Sequence, residues 1–277
     1  MQSSMSSVGK SIRMNRIFKE DGRAVMVAIN HGLGMGPIQG IEHMGEILDK
    51  IIPENPDSLT IHKGNAIRFQ DHFAGKTALV LKASNITRHF GPYEIPVATA
   101  QEAAQLGADA IAVGLSLCDE FEKESIMNAA AMVEAAEKVG IPTVAHSYPN
   151  GNLIPNEERY TLKHVGYATR VALELGIDII KTFWTGSEKT FAEVVKLGSP
   201  AKVVISGGPR CDTLRECFEM TYQGMQAGAS GITYGRNIWQ HEYPDAVLRG
   251  LVAIIHKNAS VDEAMQIAED CAGTHLE

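Results

Sequence analysis

Eight short apolar runs, each followed by a stretch of helical periodicity, constrain this chain more than any other feature. The runs are Ala24–Ile29, Ser58–Ile61, Ala78–Lys82, Ala110–Val113, Thr143–His146, Ile177–Lys181, Val203–Ser206 and Gly231–Tyr234. Their starts lie 34, 20, 32, 33, 34, 26 and 28 residues apart, each enough for a strand, a right-handed crossover helix and two loops. Strands that alternate with helices in this way form a parallel sheet. Eight units in 277 residues predict an α/β fold, a single (β/α)8 TIM barrel. An open doubly wound sheet is the competing arrangement. No Pro-rich or Ser-rich linker interrupts the series, so one domain is expected over residues 1–277, with its core from about 13 to 272.

The connections carry their own signals. Glu124–Lys138 reads as an amphipathic helix that Gly140-Ile141-Pro142 stops before the fifth strand, and Leu162–Leu175 as one that ends at Gly176. Gln105-Leu106-Gly107-Ala108-Asp109-Ala110, Glu174-Leu175-Gly176-Ile177-Asp178-Ile179 and Gln226-Ala227-Gly228-Ala229-Ser230-Gly231 each place a glycine just past a helix and just before a buried strand.

Composition excludes some partners. A formal charge of −8 leaves no basic face for nucleic acid or an anionic membrane. Hydrophobic residues at 44% and charged residues at 21% describe an ordinary globular chain. The four cysteines (Cys118, Cys211, Cys217, Cys271) form no CxxC pair and no disulfide framework, which fits a reducing cytoplasm. Met1 to Lys10 is polar, without the apolar stretch of an export signal, and no run is long enough to span a membrane.

In a barrel of this kind reacting groups stand at strand C-termini and in the loops that follow. Lys181 ends the sixth strand, directly after Ile179-Ile180. Desolvation disfavours an ammonium, so a lysine there can supply the neutral amine that attacks a carbonyl; pairing with a core carboxylate such as Asp178 is the plainer alternative. Lys63 after the second strand and Lys82 after the third stand at similar heights, where either can depress the pKa of Lys181 or bind a substrate anion. Ser206-Gly207-Gly208 after the seventh strand and Gly235-Arg236-Asn237 after the eighth combine small residues with a permanent guanidinium, at the position where many barrels bind phosphate. His31, His62 and His146 close three strands, yet no His-x-His or His-Glu-x-x-His spacing supports a metal site, and no carboxylate stands at a matching strand end; no metal and no cofactor is expected. Gly32-x-Gly34-x-Gly36 reads as a flexible loop over the substrate, and Cys118 as a nucleophile for acyl transfer or, more plainly, an inert thiol.

Taken together, Lys181, Ser206-Gly207-Gly208 and Gly235-Arg236-Asn237 give a chain that resembles the DhnA-type (archaeal-type) class I aldolases of the DeoC/FbaB superfamily, from about Arg13 to about Ala272. That family includes fructose-bisphosphate aldolases, amino-dideoxy-heptulosonate phosphate synthases and a thiolase-like acetyltransferase acting on a phosphorylated autoinducer product. The resemblance implies a Schiff base on Lys181, Tyr148 as proton shuttle, and Ser206, Gly207, Gly208, Gly235 and Arg236 around a substrate phosphate. It further implies a small phosphorylated sugar or ketone as substrate and a homo-oligomer. The family's first strand usually ends Asp-His-Gly, whereas this one ends Asn30-His31-Gly32; asparagine can hold a hydroxyl or a water but cannot accept a proton. Asn150 likewise stands where several relatives have arginine. The expected activity is therefore class I aldol cleavage or formation in a phosphorylated ketose with a dihydroxyacetone-phosphate-like donor. The alternatives are acyl transfer or a transaldolase-type reaction on the same lysine, and phosphosugar binding without catalysis. Asn30→Asp is expected to raise retro-aldol turnover of fructose 1,6-bisphosphate or fructose 1-phosphate in a coupled assay; a flat or lower rate would mean that Asn30 is tuned to another substrate.

Overall fold

The computed structural model describes residues 5–276. The expected domain takes in residues 1–4 and Glu277, and the polar N-terminal stretch takes in residues 1–4; these lie outside the described residues. Ten strands occur among the described residues: β1 (Ala24–Ala28), β2 (Ser58–Ile61), β3 (Ala78–Lys82), β4 (Ser84–Thr87), β5 (Phe90–Pro96), β6 (Ala110–Ser116), β7 (Thr143–Tyr148), β8 (Ile179–Phe183), β9 (Lys202–Ser206) and β10 (Gly231–Tyr234). Eight of them close a parallel barrel in the order β1-β10-β9-β8-β7-β6-β3-β2, with helices between successive strands. Pairing of β1 with both β2 and β10 shuts the ring and removes the open-sheet alternative.

The expected strands fall in place with small shifts. β6 and β7 run on to Ser116 and Tyr148 because those residues pair with each other, so Tyr148 ends a strand and does not begin the loop after it. β8 starts at Ile179, since the Ile177 N–H is already taken by the Ala172 carbonyl of the preceding helix at 3.2 Å. The helices expected at Glu124–Lys138 and Leu162–Leu175 are Glu122–Lys138 and Leu162–Glu174.

Two elements were not anticipated. Between β3 and β6 the chain forms an antiparallel hairpin, β4–β5, that stands outside the barrel sheet. At the other end, helix Met5–Ile17 leads Ile17 and Phe18 into a cluster with Ala24, Met26, Val80, Ala112, Val144, Ile179 and Val204, the inward-facing residues of the lower barrel. The intervening strand residues, among them Val25, Val27, Leu59, Leu81 and Ile205, pack outward against the helices. This two-residue alternation places Lys82, Gly114, His146, Tyr148, Lys181 and Ser206 on the inward face, above the apolar plug.

A repeated ion pair fastens the lower rim. Asp57, Asp109 and Asp178 each stand one residue before a strand and accept an N–H from the neighbouring strand: Val25 at 2.6 Å, Leu79 at 3.0 Å and Thr143 at 2.8 Å. Their cationic partners, Lys19 at 3.2 Å, Arg16 at 3.0 Å and Lys10 at 3.1 Å, all come from the N-terminal helix or just after it. Asp178 is thus committed to Lys10 at the end of the barrel away from Lys181, and the pairing weighed for Lys181 does not occur.

His256 joins this rim through Asp57 at 2.8 Å and Asp21 at 2.7 Å. Burial lowers its affinity for a proton, but the two carboxylates outweigh that and its pKa is raised above 6.5. A raised histidine stabilises the fold fully below its unfolded pKa of about 6.5 and ceases to as the pH climbs through the folded value. The thermal unfolding temperature of the wild type is therefore expected to fall as pH rises from about 6 upward, with His256→Gln removing that component of the pH dependence.

Candidate active site

A cavity of about 370 Å³ opens at the C-terminal mouth of the barrel. Of the residues expected to act, Asn30, His31, Tyr148, Lys181, Ser206, Gly207, Gly208, Gly235 and Arg236 all line it. Their order along the chain is β1, β7, β8, β9 and β10, so five separate strand ends bring them together. A second hollow, about 540 Å³ between residues 39–50 and 239–244, is lined by none of them.

Lys181 is 6% exposed and makes no hydrogen bond or ion pair to any described residue. Burial and the nearby Lys82 ammonium bring its pKa down to about 7; Arg236 acts in the same sense and Glu94 opposes it. Near neutral pH much of the lysine is therefore free amine, the form that adds to a carbonyl.

The imidazoles around it are neutral. Burial first, then the charges of Lys181 and Arg236, pushes His31 down to about 3, and burial with Lys181 and Lys82 holds His146 well below its usual value. Tyr148 stacks on Phe183 with ring centroids 4.4 Å apart and donates its hydroxyl proton to Ser206 Oγ at 3.0 Å. Burial raises its pKa above the usual phenol value, so the phenol keeps its proton.

The two glycine loops are tied to each other. Arg236 Nη2 donates to the Gly208 carbonyl at 2.7 Å, and Asn237 bridges Gly207 O at 3.1 Å and Cys211 N–H at 2.8 Å. Gly208 adopts a left-handed φ of 59°, which glycine takes without strain. Gly235 has no room for a Cβ, which would meet His31 Cε1 at 2.6 Å and the Ala28 carbonyl at 2.7 Å. Several buried polar atoms in this region have no hydrogen-bond partner among the described residues: Asn30 Oδ1, His31 Nδ1, His146 Nε2, Asn150 Oδ1 and Arg236 Nε. All five belong to residues that line the cavity, as expected of groups that wait for a polar ligand.

Other expected residues stand elsewhere. Lys63 begins helix Lys63–Arg68, pairs with Glu102 at 2.6 Å and does not line the cavity. Lys82 is buried beneath it, paired with Glu94 and hydrogen-bonded to Ser84 at 3.2 Å, and acts on Lys181 through its field. His62 is hydrogen-bonded to the Lys82 carbonyl and Asn85, and the described residues hold no cluster of metal-ligating side chains. Cys118 lies off the cavity, and burial together with Glu122 raises its thiol pKa, the opposite of an activated nucleophile. Gly32–Met35 is a short helix with Gly34 against Ile86 of the hairpin, where a flexible loop was expected.

Glu94, Asn85 and Ile86 of the hairpin also line the cavity, with Tyr160 and Phe183. Sequence reasoning missed Glu94 because it sought carboxylates at the ends of barrel strands. The interval of 32 residues between the third and fourth runs gave no signal, since the next interval of 33 holds a single helix and no hairpin.

A family model described as DeoC/LacD family aldolase matches residues 24–241. An uncharacterized aldolase of Saccharolobus solfataricus is 32% identical, over 94% of this chain and 99% of its own length. The 3-hydroxy-5-phosphonooxypentane-2,4-dione thiolase of Escherichia coli is 32% identical, over 94% of this chain and 86% of its own. An archaeal fructose 1,6-bisphosphate aldolase superposes with a TM-score of 0.82 at 29% identity, covering 90% of this chain and 99% of that one. A structure of such an archaeal enzyme with its catalytic lysine covalently bound to the carbinolamine intermediate gives the same TM-score and identity, covering 89% of this chain and 99% of that one.

The electrostatics of Lys181 are open to direct measurement. Acylation by a small amine-reactive reagent, followed by peptide mass spectrometry across pH, is expected to give Lys181 a midpoint near pH 7. Exposed lysines titrate near 10.4.

Proposed function

The chain belongs to the DeoC/LacD family of aldolases, and from that premise we propose that it works as a class I aldolase, with Lys181 forming a Schiff base to the carbonyl of a phosphorylated ketose or dihydroxyacetone-phosphate-like donor. One observation carries this reading: a buried amine with no counter-ion, brought to a pKa of about 7, shares a cavity with a guanidinium and two glycine loops. Once the amine has condensed with a ketone, the iminium withdraws the electron pair of an adjacent C–C bond as that bond breaks. The archaeal relative with its lysine covalently bound to a carbinolamine supports the same role for Lys181.

In this reading Ser206, Gly207, Gly208, Gly235 and Arg236 hold the substrate phosphate, with Arg236 supplying the charge. Asn30 and His31, each with an unpartnered buried atom, hold the hydroxyl or carbonyl oxygens of the substrate. Tyr148 acts in its protonated form, as the donor half of a proton shuttle. The substrate carries one phosphate. Arg236 and Lys181 are the only lysine or arginine among the described residues that line the cavity, and its rim is made by Asn150, Tyr160 and Ile86. The Escherichia coli relative acts on a ketone whose name contains a single phosphonooxy group, which supports this reading.

That relative also favours a second reading, acyl transfer from a phosphorylated diketone on the same Lys181 iminium. Aldol cleavage proceeds without a thiol acceptor, whereas thiolytic acyl transfer requires one, so the two differ in what turnover demands. Either activity belongs to carbohydrate metabolism in the cytoplasm, supported by four free cysteines. No helix among the described residues is long and apolar enough to cross a membrane. A homo-oligomer completes the reading and rests on the family resemblance alone.

Borohydride reduction with a panel of phosphorylated ketones, read by intact mass, is the test. The wild type is expected to gain one donor's mass at Lys181 with a monophosphorylated donor, and Lys181→Ala to gain none. No adduct with any donor, or an unchanged adduct in Lys181→Ala, would sink the assignment. Arg236→Ala is expected to raise the donor concentration for half-maximal trapping by roughly tenfold or more, as for a lost charge-assisted hydrogen bond of about 1.5–3 kcal/mol.

A further inference from the structure

No group described above has been assigned as the base that accepts a proton. In the condensation direction the donor's iminium becomes an enamine only when a base removes a hydrogen from the adjacent carbon. Asn30 has no basic site, Tyr148 holds its proton, and the two lining histidines are held to weak basicity by burial and neighbouring cations.

Among the described residues that line the cavity, Glu94 is the only carboxylate. It arrives from β5, outside the barrel sheet, and its side chain is 12% exposed. Oε2 accepts from Ser84 Oγ at 2.6 Å and pairs with the fully buried Lys82 ammonium. Oε1 accepts no hydrogen bond from the described residues. The carboxylate occupies the space that a Cβ on Gly114 would fill, so β6 admits it only because that position is glycine. Gly114 pairs with His146, and His146 with Lys181, which sets the carboxylate on the same level of the barrel as the reactive lysine. Two strand spacings, roughly 10 Å, separate the backbones of Gly114, against which the carboxylate lies, and Lys181, a span that the long lysine side chain and a three-carbon donor bridge. Glu94 also acts electrostatically on both Lys181 and Tyr148.

We propose that Glu94 is the catalytic base of this site, performing from the hairpin the proton transfer that Asn30 cannot perform from the first strand; the inference rests on the Schiff-base reading. With the donor bound as an iminium on Lys181, Glu94 Oε1 takes the hydrogen from the carbon beside the iminium carbon. The C–H pair becomes the C=C bond, and the C=N π pair returns to nitrogen. A neutral enamine and a protonated Glu94 result, and the reverse step restores both. Ser84 and Lys82 are positioning residues that fix the carboxylate.

The experiment uses dihydroxyacetone phosphate as probe, with two readouts: borohydride adduct by intact mass, and loss of the donor's carbon-bound proton signal in deuterated water by NMR. Glu94→Gln is expected to keep the Lys181 adduct while exchange falls by roughly 10²-fold or more. Because that variant leaves Lys82 buried without its partner, Lys82→Met/Glu94→Gln is measured beside it, with thermal unfolding as the check on folding. The same separation of adduct from exchange is expected there. A folded variant that exchanges at the wild-type rate would overturn the proposal, and so would one that loses adduct and exchange together, which would assign Glu94 to the charge state of Lys181. Failure of the wild type itself to form an adduct with this probe or with any donor of the panel is a different result: it would remove the Schiff-base reading, and the base with it.

Discussion

The site depends on one constraint, the burial of an amine without a counter-ion. A lysine in water is an ammonium and cannot attack a carbonyl; taken into a low-dielectric interior it gives up part of its affinity for the proton. Lys181 is in that position because β8 alternates, with Ile179 in the apolar plug, Lys181 one layer higher and Phe183 at the mouth. Two other cations reinforce the effect, Lys82 from below and Arg236 from the rim. A carboxylate paired directly to Lys181 would restore the ammonium. The structure avoids this by committing Asp178 to Lys10 and Glu94 to Lys82.

The lower barrel makes that burial affordable. Three aspartates at strand starts satisfy backbone N–H groups of neighbouring strands and take their countercharge from the N-terminal helix region. Ile17 and Phe18 plug the same end with apolar bulk. The ion pairs of the lower rim and the unpaired amine of the cavity are thus segregated to opposite ends of one barrel. Hairpin β4–β5 does the corresponding work at the top. It carries Asn85 to the Asn30 carbonyl at 3.0 Å and Ile86 against Gly34, and it brings Glu94 into the cavity.

Much of this was legible in the chain. Apolar runs of four to six residues with helical stretches between them report the parallel barrel directly, because a strand buried on both faces must be apolar along its length. Lys181, Gly207-Gly208 and Gly235-Arg236 stood out as polar or small residues breaking off such runs at their C-terminal ends. Lys63 had the same signature and pairs with Glu102 instead, since a position just after a strand does not specify whether a side chain turns inward or toward the next helix.

What the sequence by itself determined is the period: eight units, their spacing and which residues fall at strand ends, all of which follow from local hydrophobic patterning. Only the tertiary structure decided partnership. Lys82 with Glu94, Tyr148 with Ser206, Asp178 with Lys10 and the empty surroundings of Lys181 join residues 12, 58 and 168 positions apart, or leave one alone. Barrel closure and the register between neighbouring strands set these meetings, and neither quantity is written in any single stretch of chain. The same closure turned Asn30 from an unexplained replacement into a buried amide facing a cavity that already holds a carboxylate from another direction.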